Sequence, residues 1–163
     1  PKSLSVQVDD FYTCGGGGST TGFFYSDVVR INTGGLTQQL VSDRAAGGIG
    51  WFLEVSTTNR IQVKVSNGAG YDVLQRVAPL VVGAMFSIQA WMDSITVYLQ
   101  VDGELITMPK PAGFVAGSAT MSIGGIPYLS GSIVEPIYRA GQPPNAYERG
   151  VIRAYQMKKA GMV

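Results

Sequence analysis

Phe86-Ser-Ile-Gln-Ala-Trp-Met-Asp-Ser-Ile-Thr-Val-Tyr-Leu-Gln-Val-Asp-Gly-Glu-Leu-Ile-Thr107 is the stretch that decides the fold class. Phe86, Ile88, Ala90 and Met92 alternate with Ser87, Gln89 and Trp91. Ile95, Val97, Leu99 and Val101 then alternate with Thr96, Tyr98 and Gln100. A period of two sends successive side chains to opposite faces of a strand, so each run reads as a strand with one apolar and one mixed face. Asp102-Gly103 supplies the residue pair of a two-residue hairpin, and Glu104 to Thr107 reads as the return strand.

The same reading extends outward in both directions. Leu4, Val6 and Val8 alternate with Ser5 and Gln7. Trp51, Leu53 and Val55 alternate with Phe52 and Glu54, and Ile61, Val63 and Val65 alternate with Gln62 and Lys64. Thr57 to Arg60 separates these last two runs and predicts a hairpin. Ala119, Met121 and Ile123 give another short run. Ile133 to Tyr138 is the last predicted strand, with Pro136 marking an edge or a bulge because proline cannot donate to a ladder. Phe23 to Ile31 and Tyr71 to Val77 carry weaker strand signals. Glycines cluster between the runs, at 15–18, 34–35, 47–48, 68–70 and 124–125, as turns between many short strands require.

One helix is predicted near the end. Asn145 follows Pro143-Pro144 as N-cap, and Glu148 stands three residues later as in a capping box. Tyr147, Val151 and Tyr155 make one apolar stripe at helical spacing. Lys158 and Lys159 match the helix dipole in the last turn, and Gly161 can end the helix. Gly150 costs the helix about 1 kcal/mol relative to alanine. With no repeat and no second composition, the 163 residues read as a single domain over 1–163.

Composition narrows the function. Only 14% of residues are charged, well below the usual quarter, which suits a surface that is covered by neighbouring copies or a partner. The net charge of +1 gives no ground for nucleic-acid binding. Histidine is absent, which removes the usual general base and the commonest transition-metal ligand. Cys14 is the lone cysteine, so no intrachain disulfide can form, in keeping with folding in a reducing compartment. No apolar stretch approaches the ~20 residues of a membrane span, and the chain opens at Pro1 without a basic-then-apolar signal segment.

Several motifs of the C-terminal half together resemble the concanavalin A-like lectin/glucanase superfamily, laminin-G-like jelly rolls included. They are Phe86-Ser-Ile-Gln-Ala-Trp91, Val97-Tyr-Leu-Gln-Val-Asp-Gly103, Ser122-Ile-Gly-Gly125, Leu129-Ser-Gly-Ser-Ile133 and the closing 140–155 segment. The resemblance covers roughly residues 84–157. It implies an all-β, two-sheet antiparallel jelly-roll sandwich with one concave sheet and a short C-terminal helix. Members of the superfamily bind glycans, bind proteins, hydrolyse glucans or serve as structural modules, and fold alone does not choose among these.

A glucanase of this kind needs two acids on one face of one strand, about 5 Å apart. Asp102 and Glu104 only flank a hairpin glycine, and the adjacent Asp9 and Asp10 would face opposite ways, so no catalytic residue is assigned. Asp10, Asp27, Asp43 and Asp93 are the candidates for a calcium site, but no dense acidic loop brings the six to eight oxygens that calcium wants, and no metal is expected. The Thr13 to Gly22 segment reads as a glycine-rich loop without the Gly-Lys-Ser/Thr ending of a phosphate loop, so no nucleotide or other cofactor is expected. Arg149, Arg153, Lys158 and Lys159 read as a solvated basic face.

Trp91 shares the polar face of its strand with Ser87 and Gln89, and Tyr98 stands likewise beside Gln100. A tryptophan there offers an apolar surface and an N–H donor, so Trp91, Tyr98, Gln89 and Gln100 form the candidate glycan platform. The competing expectation is that both faces of this sheet are covered, one by the opposite sheet and one by a loop or a neighbouring subunit. Two functions follow. One is a non-enzymatic structural subunit on a virion surface, as a phage capsid decoration or tail or fibre protein. It would be made in the cytoplasm and assemble as a homo-oligomer with other virion proteins, without inserting into a membrane. The other is a carbohydrate-binding module or lectin for cell-surface glycans.

Overall fold

The computed structural model describes residues 12–15, 21–44, 49–117, 120–124 and 129–162. The expected strand at Leu4 to Val8, together with Asp9 and Asp10, lies outside them. The described residues form eleven strands and one helix: β1 Tyr12–Gly15, β2 Phe23–Ile31, β3 Gln38–Arg44, β4 Gly50–Val55, β5 Ile61–Ser66, β6 Tyr71–Gln75, β7 Met85–Met92, β8 Thr96–Val101, β9 Glu104–Pro109, β10 Thr120–Ile123, β11 Gly131–Ala140 and α1 Ala146–Lys159. They build two antiparallel sheets, one ordered β1-β10-β3-β4-β5-β6 and the other β11-β2-β7-β8-β9. Consecutive hairpins build most of each sheet. The late strands β10 and β11 cross back to pair with β3 and β2, which makes the architecture a jelly-roll sandwich.

The deciding stretch folds as read except at Ile95, which precedes β8 in the β7–β8 turn and is 73% exposed instead of joining the apolar face. Phe86, Ile88, Ala90 and Met92 of β7 and Val97, Leu99 and Val101 of β8 join the core between the sheets. Asp102 and Gly103 both take positive φ, 50° and 94°, the mirror-image turn that matches the twist of a tight hairpin. From the opposite sheet, Trp51, Leu53, Ile61, Val63 and Val65 meet these residues. Trp51 stacks on Phe23 with ring centroids 3.8 Å apart. Each such fully buried side chain contributes about 1.5–3 kcal/mol relative to exposure.

The central strand β2 explains its own weak signal. Every residue of Phe-Phe-Tyr-Ser-Asp-Val-Val-Arg-Ile except Arg30 is buried, because the core covers one face and α1 the other. A strand covered on both sides has no reason to alternate. β3 escaped the sequence reading because its polar residues are buried on both faces, Gln38 and Asp43 beside Val55 and Trp51, Gln39 and Ser42 beside Glu54 and Phe52. Gln38 is 1% exposed, donating to the Thr33 carbonyl at 2.5 Å and accepting from the Ser130 amide at 2.8 Å. The predicted Thr13–Gly22 loop is corrected at its start, since Thr13, Cys14 and Gly15 pair with β10. Residues 16–20 lie outside the described residues.

Both readings of Pro136 hold. β11 is an edge strand, and its register against β2 shifts between Val134 and Ile137, where Glu135 takes a φ of 50°. That bulge turns the Glu135 carbonyl out of the ladder, and Gln156 of α1 donates to it at 2.8 Å.

The helix begins as expected. The Asn145 side chain accepts from the Glu148 amide at 3.0 Å, and Glu148 Oε2 accepts from the Asn145 amide at 2.9 Å. The Tyr147, Val151, Tyr155 stripe faces solvent, with Tyr147 80% exposed. The face that packs on the outer side of β2 and β7 carries Arg149, Arg153 and Gln156. Polar groups dock here because the sheet presents polar groups to them, Ser26, Ser87 and Gln89.

Candidate functional site: a cleft beside the helix N-terminus

Cross-strand register lays the outer face of the five-stranded sheet out in rows. One row runs Arg139, Phe24, Trp91, Tyr98, Thr107, and the next Ile137, Ser26, Gln89, Gln100, Leu105. Trp91, Tyr98, Gln89 and Gln100 therefore share one face, as their spacing implies. They do not share one exposure. α1 covers β2 and β7 but leaves β8 and β9 open, so its edge divides the predicted platform in two.

Gln89 falls under the helix. It is 1% exposed and donates to Ser26 Oγ at 3.1 Å and to the Arg149 carbonyl at 3.0 Å. It anchors the helix to the sheet. Trp91 is 4% exposed, with the Tyr98 ring stacked at 4.8 Å and the Arg149 guanidinium 4.3 Å from its centroid. No ring face is left open for a sugar. The cover that the sequence left to a loop or a neighbouring subunit is this chain's own helix. Gln100 is half-buried and donates to the Gly103 carbonyl at 3.3 Å, which ties it to its own hairpin. Tyr98 is half-buried and remains accessible.

Trp91 and Tyr98 form part of the wall of a cleft of about 520 Å³. Asp93 enters from the β7–β8 turn, Arg139 from the end of β11, Gln142 and Asn145 from the following loop, and Glu148 and Arg149 from the first turn of α1. Most of these polar groups are already held. Arg149 Nη1 donates to the Pro144 carbonyl at 2.6 Å while its guanidinium lies over Trp91. Glu148 and Asn145 cap the helix. Asp93 Oδ1 accepts from the amides of Ile95 and Thr96, each at 2.9 Å, and its Oδ2 accepts from the Tyr98 hydroxyl at 2.9 Å. Partial burial opposes ionisation of Asp93. The hydrogen bonds from Ile95, Tyr98 and Thr96, with Lys110 nearby, outweigh it and hold the carboxyl below its ordinary value. Asp93 is thus a fixed anion in the cleft. Among the described residues, the side chains of Arg139 and Gln142 have no hydrogen-bond partner, and both are exposed.

The remaining acids are placed as follows. Asp27 and Asp43 stand in β2 and β3, not in loops. Asp27 is fully buried on the core side and accepts from the Tyr25 hydroxyl at 2.7 Å and the Val134 amide at 3.2 Å. Burial pushes its carboxyl well above the ordinary value against the pull of those bonds. Asp102 Oδ1 accepts from the Ser87 amide at 2.8 Å, and Glu104 pairs with Arg76 at 2.7 Å, so this acid pair braces its hairpin. Among the described residues no three Asp, Glu, Cys or His side chains gather as a metal site, and no helix is long and apolar enough to cross a membrane.

The sequence reading missed Arg139, Gln142 and the role of Arg149. Arg149 and Arg153 were expected on a solvated face, yet Arg153 Nε donates to Ser87 Oγ at 3.0 Å and Arg149 covers Trp91. A signal did exist. Hydrogen-bonding side chains at 149, 153 and 156 recur at helical spacing, opposite a strand whose outer face reads Ser87, Gln89, Trp91. Nothing in the sequence marked Gln142 or Arg139.

No family model matches the sequence, and no curated protein matches it. Solved structures do. Domains LG4-5 of the mouse laminin alpha1 chain superpose with a TM-score of 0.68 at 15% identity, covering 82% of this chain and 39% of that one. The binding domain of botulinum neurotoxin DC, solved in complex with SialylT, gives a TM-score of 0.69 at 13% identity, covering 94% of this chain and 45% of that one. A single mutant of the galectin congerin II gives 0.56 at 12% identity, covering 80% of this chain and 100% of that one. The chain thus spans less than half of the laminin and toxin chains and the whole length of the galectin. Together with the two-sheet topology, these likenesses establish that the chain has the concanavalin A-like, laminin-G-like jelly-roll fold.

Proposed function

We propose that this chain is a non-enzymatic binding domain that takes a glycan in the cleft between the β7–β8 turn and the start of α1. One observation carries the reading: an aromatic wall, Tyr98 stacked on Trp91, adjoins a fixed anion, Asp93, and two polar side chains without partners, Arg139 and Gln142. A sugar ring presents apolar C–H groups on its faces and hydroxyls at its rim. It is matched by an aromatic surface with converging donors and acceptors. Tyr98 and Trp91 retain their place from the sequence reading, Tyr98 as the contact and Trp91 as the ring that orients it. The neighbours, a galectin and the binding domain of a neurotoxin, support a binding domain over a hydrolase, as does the structural engagement of Asp102 and Glu104. A glycan array followed by titration tests it. Arg139→Ala and Gln142→Ala, both at exposed positions, should each weaken binding several-fold or more, and Tyr98→Ala should abolish it. Unchanged affinity in all three would remove the cleft as the site.

A second reading, that of an assembly subunit, draws on the exposed helix stripe. Tyr147, Val151 and Tyr155 are 80%, 52% and 46% exposed in a chain poor in charge. A virion surface is the setting in which we place that role, with a homo-oligomer and other virion proteins as partners. At the cleft itself the two readings use different residues, since none of Tyr147, Val151 and Tyr155 lines it. Light scattering decides the second: a stable oligomer supports it, and a monomer at 17.3 kDa removes it.

A further inference from the structure

We propose that the polar cleft is one half of a longer site, whose other half is an apolar groove, and that the ligand class is an amphipathic glycoside: a sugar carrying an apolar aglycone. The inference rests on the glycan reading of the cleft and adds the nature of what is attached to the sugar.

The groove measures about 320 Å³ and lies between α1 and the β11–β2 end of the same sheet. Phe24, Ile137, Tyr147, Val151 and Ile152 supply its apolar lining. It adjoins the cleft, because Arg139, Pro144 and Glu148 line both. Arg139, Phe24, Trp91 and Tyr98 follow one another across adjacent strands beneath the two, and because Phe24 is fully buried and Trp91 lies under Arg149, the groove and the cleft meet at Arg139 and Glu148 rather than along that row. Neighbouring strands are about 4.8 Å apart, which puts Phe24 and Tyr98, two strands distant, roughly 10 Å apart along the row. A hexose ring and the first few carbons of an aglycone cover that length.

The division of chemistry fits such a ligand: a free sugar leaves the groove wet, and a purely apolar ligand leaves Arg139 unpaired at its end. Arg139 is exposed and without a partner at the seam, where a ligand passes from polar to apolar. The groove also accounts for part of an otherwise unexplained exposure, because Tyr147 and Val151 lie on its rim.

The test uses the whole chain, isotope-labelled, titrated with matched methyl and octyl β-D-glucosides, galactosides and mannosides below their micelle concentrations. For any sugar that shifts amides around Asp93 and Tyr98, the octyl glycoside should bind about tenfold or more tightly than the methyl glycoside, since each buried methylene adds a several-fold gain. Amides of Ile137, Val151 and Ile152 should move with the octyl member alone. Val151→Lys, at an exposed helix position with its helical circular dichroism as the fold control, should bring the octyl affinity down to that of the methyl glycoside. Equal affinity for both members in the unmodified protein overturns this inference and leaves the glycan reading standing. So does an octyl advantage that survives Val151→Lys, or a groove filled by a second copy, seen as concentration-dependent mass. Octyl shifts in the groove without any response near Asp93 and Tyr98, or no response to any glycoside of the set, overturn both.

Discussion

Gln156→Ala tests how the helix is held, and with it the shape of the cleft. Gln156 is 1% exposed and sits between the helix, the central strand and the β11 bulge. Its Nε2 donates to the Ser26 carbonyl at 2.9 Å and to the Glu135 carbonyl at 2.8 Å, and its Oε1 accepts from Ser26 Oγ at 2.5 Å. A neutral hydrogen bond contributes about 1 kcal/mol net, and groups left unpaired in a buried place add their desolvation cost. Ser26 Oγ keeps the bond from Gln89, and water can reach the bulge carbonyl, so some of the loss is recovered. The expected cost is about 2–3 kcal/mol. For a chain of this length that is roughly 5–10 °C in midpoint temperature. Chemical denaturation followed by circular dichroism gives the energy. Fluorescence gives the locality, because Trp51 is sealed in the core while Trp91 depends on the helix for its cover. Ser26→Ala combined with Gln156→Ala in a double-mutant cycle should show strong coupling. A loss under about 0.5 kcal/mol, or additivity of the pair, would refute the claim that a polar seam holds the helix.

Two further outcomes follow from the buried and capping groups. Asp27 holds its proton more tightly folded than unfolded, so its contribution to stability is present below the ordinary value of 3.8 and is lost as pH rises through the raised folded value. Asp27→Asn should remove that decline and leave the variant more stable than the parent at pH 8 in denaturant titrations across pH; a parallel decline in both would contradict it. Asn145→Ala removes the side-chain cap on the Glu148 amide but keeps the backbone N–H that donates to Glu148 Oε2, and should cost about 1 kcal/mol in the same assay while weakening any cleft ligand.

The strands most legible in the sequence are those that meet the core on one side and something polar on the other. β7, β8, β4 and β5 alternate because each has two different environments. β2 does not alternate because it has two similar ones, and β3 looked too polar because Gln38 is buried where the Thr33 carbonyl and the Ser130 amide receive it. The helix was legible in its ends and not in its rotation. Its capping box is local chemistry, whereas which face docks depends on what the sheet offers, and this sheet offers serines and glutamines. The same fact redrew the glycan platform. The residue types and their shared face could be read from alternation, but the helix edge that buries Gln89 and Trp91 and spares Tyr98 is set by α1, a segment distant in the sequence.

The central claim is that ligand meets this protein at the helix-side cleft of the five-stranded sheet. The most direct measurement is a chemical-shift map of the labelled chain with a glycan found on an array. The other sheet serves as the internal control, since its outer face carries Phe52, Glu54, Gln62 and Lys64 in a network of its own, with Glu54 paired to Lys64 at 2.7 Å. Shifts centred on Asp93, Tyr98, Gln142 and Arg149 are the predicted result. Shifts centred on Phe52, Glu54 and Lys64 would contradict it and move the site to the opposite sheet.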